Sequence, residues 1–401
     1  MPQKSNANLH KANKAKNDEF YTQYADIQNE INAYISYNPD VFKGKTILLP
    51  CDDPEWSNFT KFFVNNFELY GLKKLISTSY AYNSKNVSFD YQPTLFESID
   101  ERFEIETSKS KGKIFTLVKD ENNDGKIDEK DLKWNYLEGD GDFRSEEVKK
   151  LRDEADIIIT NPPFSIFLEF LSWILEANKK FIIIGNKSTL GSKDVFPLVM
   201  QNKIWSGKTD WSGGMWFETK NLKDVDKIIN GINMKNVPAV WLSNLEHGKR
   251  HSPLPLMTEE RNIKYSRYSE IKNIGYKKYD NYDAIEVPYT DSIPSDYKGI
   301  MGVPITFLEK YSPEQFQILG STQRGCHELV QDTKKYNDYI EYDKKTNKPT
   351  GSSGNKTNEN PVIHVTLETR DPKKNYFINS EGRVVQSLFT RVFIKNINPQ
   401  E

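Results

Sequence analysis

The stretch 156–170, DIIITNPPFSIFLEF, decides how this chain is read. Ile157–Ile159 form an unbroken apolar run, the pattern of a short strand buried on both faces,. From 165 to 178 the apolar residues Ile166, Phe167, Phe170, Leu171 and Ile174 fall at helical spacing,. Between strand and helix stands Asn161-Pro162-Pro163-Phe164. Two adjacent prolines fix two φ angles and remove two N–H donors. They serve a core poorly and hold a rigid, carbonyl-rich loop at a sheet end well.

Working outward, KTILLP (45–50), KKLISTSY (73–80), ADIIIT (155–160) and KFIIIGN (180–186) read as strands. A helix is expected from Asn17 or Asp18, with Tyr24, Ile27, Ile31, Tyr34 and Ile35 on one face,. Another starts at Ser57, turns Phe59, Phe62, Phe63 and Phe67 inward and ends at Gly71; a short one lies near 193–200. NLKDVDKIINGI (221–232) reads as helical, and VPAVWLSNL (237–245) completes the sheet. Residues 81–140 read as an extended connection, with a hairpin within RFEIETSKSKGKIFTLVK (102–119). Strands alternating with helices predict an α/β fold with a parallel, two-sided sheet. Beyond about 246 the strands shorten, Pro and Tyr rise, and 343–361 is a polar, loop-like tract. The expected division is a first domain, 1–245, with an inserted acidic segment at about 85–140, and an α+β domain, 246–401.

The chain has 401 residues, 36% apolar and 12% aromatic, and is read as globular rather than disordered,. No apolar run reaches the length of a membrane span, and MPQKSNANLHKANKAK lacks the apolar core of a signal peptide,. Two cysteines, Cys51 and Cys326, argue against a disulfide framework and for a reducing cytoplasm,. The net charge of −2 is polarised: Glu97–Asp156 holds 19 acids against 12 bases, whereas His247–Tyr282 holds eight Lys/Arg against four acids.

In an open α/β sheet, ligands gather at the carboxyl ends of the strands. Three segments belong there: PCDDPEWS (50–57), GDGDFRS (139–145) and TNPPF (160–164). Taken singly, each reads equally well as a turn, a solvated hairpin or a strand terminator. Taken together, at strand ends and in this order, they are expected to form a site. The Asn161 side chain and the Pro162 carbonyl are two acceptors that can converge on one –NH₂ group. Holding both hydrogens draws the nitrogen lone pair out of conjugation, and Phe164 offers a face to the ring that bears the amine. A sulfonium methyl as electrophile needs no strong base, since proximity and alignment alone are worth about 7–11 kcal/mol.

With these residues in view, DIIITNPPF is similar to the (D/N/S)PP(Y/F/W) motif of amino-methyltransferases that use S-adenosylmethionine. Together with KNDEFYTQYADIQNEI, LLPCDDPEWSNFTKFF, GDGDFRSEE, FIIIGN and IMGVPITFLEKYSPEQFQILG, it resembles the EcoRI-type adenine-specific DNA methyltransferases over roughly 17–330. The resemblance implies a Rossmann-like class I sheet with helices on both faces, followed by a C-terminal target-recognition domain. It implies a site-specific adenine N6-methyltransferase that flips its target base out of double-stranded DNA, in a restriction–modification or related protective role. A cognate endonuclease would act on the same site without a stable complex. Asn161, Pro162, Pro163 and Phe164 would be catalytic. Phe20, Tyr21, Thr22, Asp52, Asp53, Asp142, Phe143 and Asn161 would bind the cofactor, Asp142 accepting its adenine amine. PCDDP stands where the wider superfamily has Gly-x-Gly, and no acid follows the second strand to hold the ribose; Ser77, Thr78 or Tyr80 would substitute. RNA and protein-glutamine methyltransferases can use the same loop and are the nearer rivals.

Two further expectations come from the residues themselves. The basic, tyrosine-rich segment after 246 suggests DNA contacts at Lys249, Arg250, Arg261, Lys264, Arg267, Lys277 and Lys278,. DENNDGKIDEKD (120–131) fits a calcium loop, with Asp120, Asn122, Asp124 and Asp131 as ligands of a structural calcium ion,. Its plain alternative is an acidic surface turn. The non-enzymatic rival, a calcium-dependent binding module, would be built on that loop.

Overall fold

The structure, a computed structural model, describes residues 21–51, 57–81, 105–219, 225–323, 326, 329–357 and 359–399. By its internal contacts the chain divides into two compact units, residues 1–187 with 205–248, and residues 188–204 with 249–401.

The first unit runs β1 (Tyr21–Thr22), α1 (Tyr24–Tyr37), β2 (Thr46–Leu49), α2 (Asn58–Asn65), β3 (Lys74–Ser79), α3 (Ile105–Ser110), β4 (Lys113–Leu117), β5 (Lys133–Tyr136), α4 (Glu146–Glu154), β6 (Ile157–Thr160), α5 (Phe167–Glu176) and β7 (Lys180–Asn186). Past α6 (Phe196–Met200), which belongs to the second unit, come β8 (Trp205–Ser206), β9 (Met215–Glu218), β10 (Lys227–Ile229), β11 (Ile232–Val237) and β12 (Ala239–Ser243). The main sheet has eight strands in the order β5-β4-β3-β2-β6-β7-β12-β8. Its centre, β3-β2-β6-β7, is parallel, and the strands added at both edges are antiparallel.

The four apolar runs form the parallel centre because they are buried on both faces. Ile47, Leu49, Ile157, Ile159, Ile182 and Ile184 share one core with Ile27, Ile31 and Tyr34 of α1 and Phe59, Phe62 and Phe63 of α2. The alternate residues Leu48, Ile158 and Ile183 are just as buried and face the other way,. On that side the Phe167 ring of α5 lies so close to Gly185 of β7 that an added Cβ would stand 2.6 Å from it.

Three expectations are corrected. The helix read from Asn17 or Asp18 begins at Tyr24, because Tyr21–Thr22 pair with β9; residues 17–20 lie outside the described ones. The hairpin does not lie within 102–119: Ile105–Ser110 is helical, and β4 pairs with β5 across the DENNDGKIDEKD loop, extending the main sheet. Lys227–Val237 is a hairpin rather than a helix, turning on Asn230 and Gly231 at φ +50° and +81°. Two successive positive φ angles define the Asn-Gly turn that suits strand twist. Strands β1, β9, β11 and β10 form a separate antiparallel sheet.

The second unit contains α7 (Glu259–Tyr265), β13 (Ala284–Glu286), β14 (Ile300–Pro304), β15 (Phe316–Ser321), β16 (Ile340–Tyr342), β17 (Pro349–Ser353), β18 (Val362–His364), β19 (Tyr376–Ile378), β20 (Val384–Ser387) and β21 (Arg391–Asn396). They make a four-stranded sheet, β13-β14-β21-β15, and a five-stranded one, β17-β16-β19-β20-β18. The polar tract 343–361 thus contains a strand, β17, whose exposed edge position explains its composition,. Buried at this unit's centre, Glu286 accepts both Nε and Nη2 of Arg391, and Tyr279 donates to it. Among the described residues no helix is long and apolar enough to cross a membrane, and neither cysteine forms a disulfide.

Candidate functional site

The order of the main sheet reverses at β2, which has β3 on one side and β6 on the other. The loops leaving their carboxyl ends are held together by specific bonds. Thr160, the last residue of β6, donates its Oγ1 to the Pro50 carbonyl over 2.6 Å. Cys51 follows at φ +67°, a left-handed conformation that few residues besides glycine adopt,. A cysteine thus makes the sharp turn after β2. Its thiol donates to the Tyr80 hydroxyl at 3.6 Å, at the end of β3. Burial, then Cys51 and Asp142, push the Tyr80 phenol well above its ordinary value, so it stays neutral,.

The 139–144 loop is laid against the same strand end. Ala81 N donates to Asp140 O over 2.8 Å and Gly112 N to Gly139 O over 2.9 Å. Gly141, at φ +85°, comes so close that a Cβ would stand 2.3 Å from the Ser79 carbonyl oxygen. Next to it, the Asp142 carboxylate is gripped by Arg144: Nε reaches Oδ1 at 2.8 Å, Nη2 reaches Oδ2 at 2.5 Å, and the Arg144 backbone N–H adds a bond to Oδ1 at 2.8 Å. Burial works against ionisation of Asp142, but the Arg144 bonds outweigh it and hold the carboxyl below the usual carboxylate range,. A carboxylate has about four lone-pair sites. Arg144 takes two on Oδ1 and one on Oδ2, which leaves one acceptor direction on Oδ2. Phe143 is fully buried, its ring meeting Phe170 and Trp173 of α5 edge to face at 5.1 and 5.6 Å between centroids. Packed in this way, Phe143 anchors the loop.

At the end of β6, Pro162 is buried and Asn161, Pro163 and Phe164 are half-buried; the Asn161 carboxamide oxygen is shielded from solvent. Phe164–Ile166 form a 3₁₀ turn that runs directly into α5, with Ile166 N donating to Pro163 O over 3.2 Å. The Phe164 ring meets Phe217 of β9 edge-on at 6.5 Å between centroids. Phe217 pairs with Thr22 of β1, whose carbonyl accepts from Asn58 Nδ2 at 2.8 Å. Phe164 is thus joined to Thr22 through Phe217, and Asp142 to α5 through Arg144. Phe20, Asp52 and Asp53 lie outside the described residues.

The set suits a nucleoside-bearing cofactor. Thr22 Oγ1 and Thr78 Oγ1 are buried and have no hydrogen-bond partner among the described residues, an arrangement that costs free energy unless a ligand or water completes it. Sequence reasoning singled out neither Arg144 nor Thr160. Arg144 stands inside a quoted motif, but its bond to Asp142 depends on the loop's conformation.

The DNA-contact expectation divides. Arg261, Lys264, Arg267, Lys277 and Lys278 are exposed, Arg267 in an ion pair with Asp291 at 2.7 Å. Lys249 is half-buried and pairs with Glu309 at 3.1 Å. Arg250 is corrected: it is 5% exposed and donates to Asn202 Oδ1 at 2.9 Å, so it braces this unit rather than offering charge at its surface.

The calcium expectation is also corrected. Asp131 accepts the backbone N–H groups of Glu121, Asn122 and Asp128, and Asp120 accepts those of Asn123 and Gly125. Asn122 and Asp124 turn onto Asp124 N and Lys126 N. The loop's carboxylates satisfy its own backbone, and among the described residues no cluster of three or more His, Cys, Asp or Glu could hold a metal ion. Ile127 and Leu132 pack it onto the core of the first unit.

The Asn-Pro-Pro-Phe loop stands at the reversal of a mixed α/β sheet. The chain belongs to the family of EcoRI adenine-specific methyltransferases, whose family model matches residues 8–396, and it is an S-adenosylmethionine-dependent DNA adenine methyltransferase. It is 40% identical to the type II methyltransferase M.EcoRI of Escherichia coli over 79% of this chain and 89% of that protein. It is 33% identical to M.MpnI of Mycoplasma pneumoniae over 83% and 90%, and 32% identical to M.MgeORF184P of Mycoplasma genitalium over 83% and 91%. No solved structure matches the chain.

Proposed function

We propose that the Asn161 carboxamide oxygen and the Pro162 carbonyl hold the two hydrogens of an adenine N6 amine, with Phe164 stacked on a base flipped from double-stranded DNA. S-adenosylmethionine, when bound, supplies the sulfonium methyl that the amine attacks. The Asn161 side chain and the Pro162 carbonyl orient the nitrogen lone pair, and the loop's two prolines keep that geometry without reorganisation. Phe164, backed by Phe217, fixes the plane of the ring. On the cofactor side, Asp142 accepts the cofactor's adenine amine on the one free direction of Oδ2, and Phe143 secures the loop that carries it. Tyr21 and Thr22, with Phe20, border the methionine end. Asp52 and Asp53 make polar contacts after β2, and Ser77, Thr78 or Tyr80 take the place of the missing acid at the ribose.

The observation that carries this reading is the bond from Thr160 to Pro50, which brings the Asn-Pro-Pro loop to the turn after β2. The parallel centre of the sheet, with helices on both faces, supports a Rossmann-like class I methyltransferase domain spanning 1–245. The change of compact unit between Gly248 and Lys249 supports a separate target-recognition domain, 246–401, of α+β character. The exposed cations Arg261, Lys264, Arg267, Lys277 and Lys278 would meet phosphates there. The type II names of the relatives support a protective role opposite a restriction endonuclease that acts on the same site without a stable complex. A cytoplasmic location accords with that role.

The test is transfer of labelled methyl from S-adenosylmethionine to plasmid DNA by wild type and Asn161→Ala, with the product nucleoside identified after digestion. Wild type should yield N6-methyladenine, and Asn161→Ala should lose at least about a hundredfold in kcat at saturating cofactor. Retained activity in Asn161→Ala would remove the amine-holding role.

A further inference from the structure

Arg144 does more than neutralise a neighbour. Its Nη1 reaches Glu169 Oε1 of α5 at 3.3 Å while Nε and Nη2 grip Asp142, and its guanidinium lies over the Phe143 ring at 5.4 Å from the centroid. α5 starts directly after the turn that carries Phe164. One side chain therefore ties the 139–144 loop to the helix behind the Asn-Pro-Pro-Phe loop.

We infer that Arg144 is a positioning residue for the cofactor: its fork locks the Asp142 carboxylate in one orientation, with a single acceptor direction left for an adenine amine, and its bond to Glu169 keeps that carboxylate in register with the Asn161–Phe164 loop. The inference rests on Asp142 being the acceptor for the cofactor's adenine. Planar bidentate pairing suits arginine and not lysine, whose ammonium is a point charge. Half of the arginine side chain remains accessible, 47% by surface.

The groups facing Asp142 define the pH response. They are Arg144 and Asp140 on its own loop, Glu169 from α5, which reaches it through Arg144, and Tyr80 and Cys51 from the ends of β3 and β2. Tyr80 stays neutral, and Arg144 is the only cation among these groups. Without it, burial acts on Asp142 unopposed and favours its protonated form, which can no longer accept on the protonated oxygen,.

The experiment measures S-adenosylmethionine binding by calorimetry on the full chain between pH 5 and 8, with kcat at saturating cofactor, for wild type, Arg144→Met, Arg144→Lys and Asp142→Ala. Arg144→Met should raise Kd at least tenfold at neutral pH, increasingly so toward pH 5, with kcat at saturation within about threefold of wild type. Wild type should show no such pH dependence over that range. Arg144→Lys should fall between the two in affinity and keep the flat profile, since its charge remains without the fork; it also serves if Arg144→Met fails to fold. If Asp142→Ala weakens binding but both Arg144 variants bind as wild type does, the positioning role is overturned and the Asp142 reading stands. If Asp142→Ala itself binds normally, the reading beneath it is overturned as well. A fall in melting temperature with unchanged, pH-independent affinity would reduce Arg144 to a structural residue.

Discussion

The sharpest test of how the 139–144 loop, proposed to meet the cofactor, is seated is Gly141→Ala. Gly141 has φ +85°, and an added Cβ would stand 2.3 Å from Ser79 O, 3.1 Å from Ser79 C and 3.3 Å from Tyr80 Cα. The left-handed backbone alone costs an L-residue about 1–2 kcal/mol. The contact with the carbonyl oxygen is shorter than real Cβ contacts and involves backbone on both sides, so no rotamer change relieves it. The loop must lift by roughly 1 Å, carrying Asp142 with it, and misplacement on that scale costs about a hundredfold in a well-fitted site. Gly139→Ala is the internal control: in the same loop, its Cβ would meet nothing within 4 Å. Both variants would be titrated with S-adenosylmethionine by calorimetry and their melting temperatures compared. The expected result is a loss of cofactor affinity between tenfold and a hundredfold in Gly141→Ala, with Gly139→Ala within about twofold of wild type. Wild-type affinity in Gly141→Ala would refute the close seating of this loop, and equal losses in both variants would refute the steric argument.

Two further outcomes follow from buried bonds. Thr160→Val is nearly isosteric but strands the buried Pro50 carbonyl that Thr160 Oγ1 serves at 2.6 Å; a loss of about 1–3 kcal/mol in urea unfolding is expected, and an unchanged midpoint would show that the bond is dispensable. In the second unit, burial opposes ionisation of Asp280, but bonds from Lys334 and Tyr336 and the charge of Arg383 hold its carboxyl below the ordinary value. A depressed folded-state pKa gives stability that is present above the unfolded value of about 3.9 and lost as pH falls through the folded value. Asp280→Asn should therefore destabilise this unit near pH 7 by about 1.5–3 kcal/mol, and the gap from wild type should close as pH falls toward 3. A gap that stays constant with pH would count against the ionic contribution.

The parallel centre of the sheet was legible because two-sided burial leaves continuous apolar runs. Ile157–Ile159 and Phe181–Ile184 carry no polar residue that would reveal which face is which,. The two hairpins were not legible in the same way. Val225, Ile228, Ile229 and Ile232 fall at helical spacing, yet Ile228 is 63% exposed and the chain reverses at Asn230-Gly231. Turn chemistry there outweighs periodicity. In the 102–136 region the long acidic loop hid the partner of KIFTL, because the paired strands stand on either side of a loop that satisfies its own backbone with its own carboxylates.

The candidate site divides along the same line. Asn161–Phe164 stand out in the sequence because four adjacent residues contain the whole of the proposed chemistry. Charge could not be read in that manner. Lys249 and Arg250 are neighbours in a basic segment, but one pairs with Glu309 and the other is buried against Asn202, and only the fold separates them from the exposed Lys277 and Lys278. Arg144 shows the converse. Two residues from Asp142, it looks like any surface arginine, and it acquires a role because α5 brings Glu169 to its free edge while Phe143 is buried beneath it. A residue whose function is to orient another is defined by three elements at once, and no local pattern in the chain contains all three.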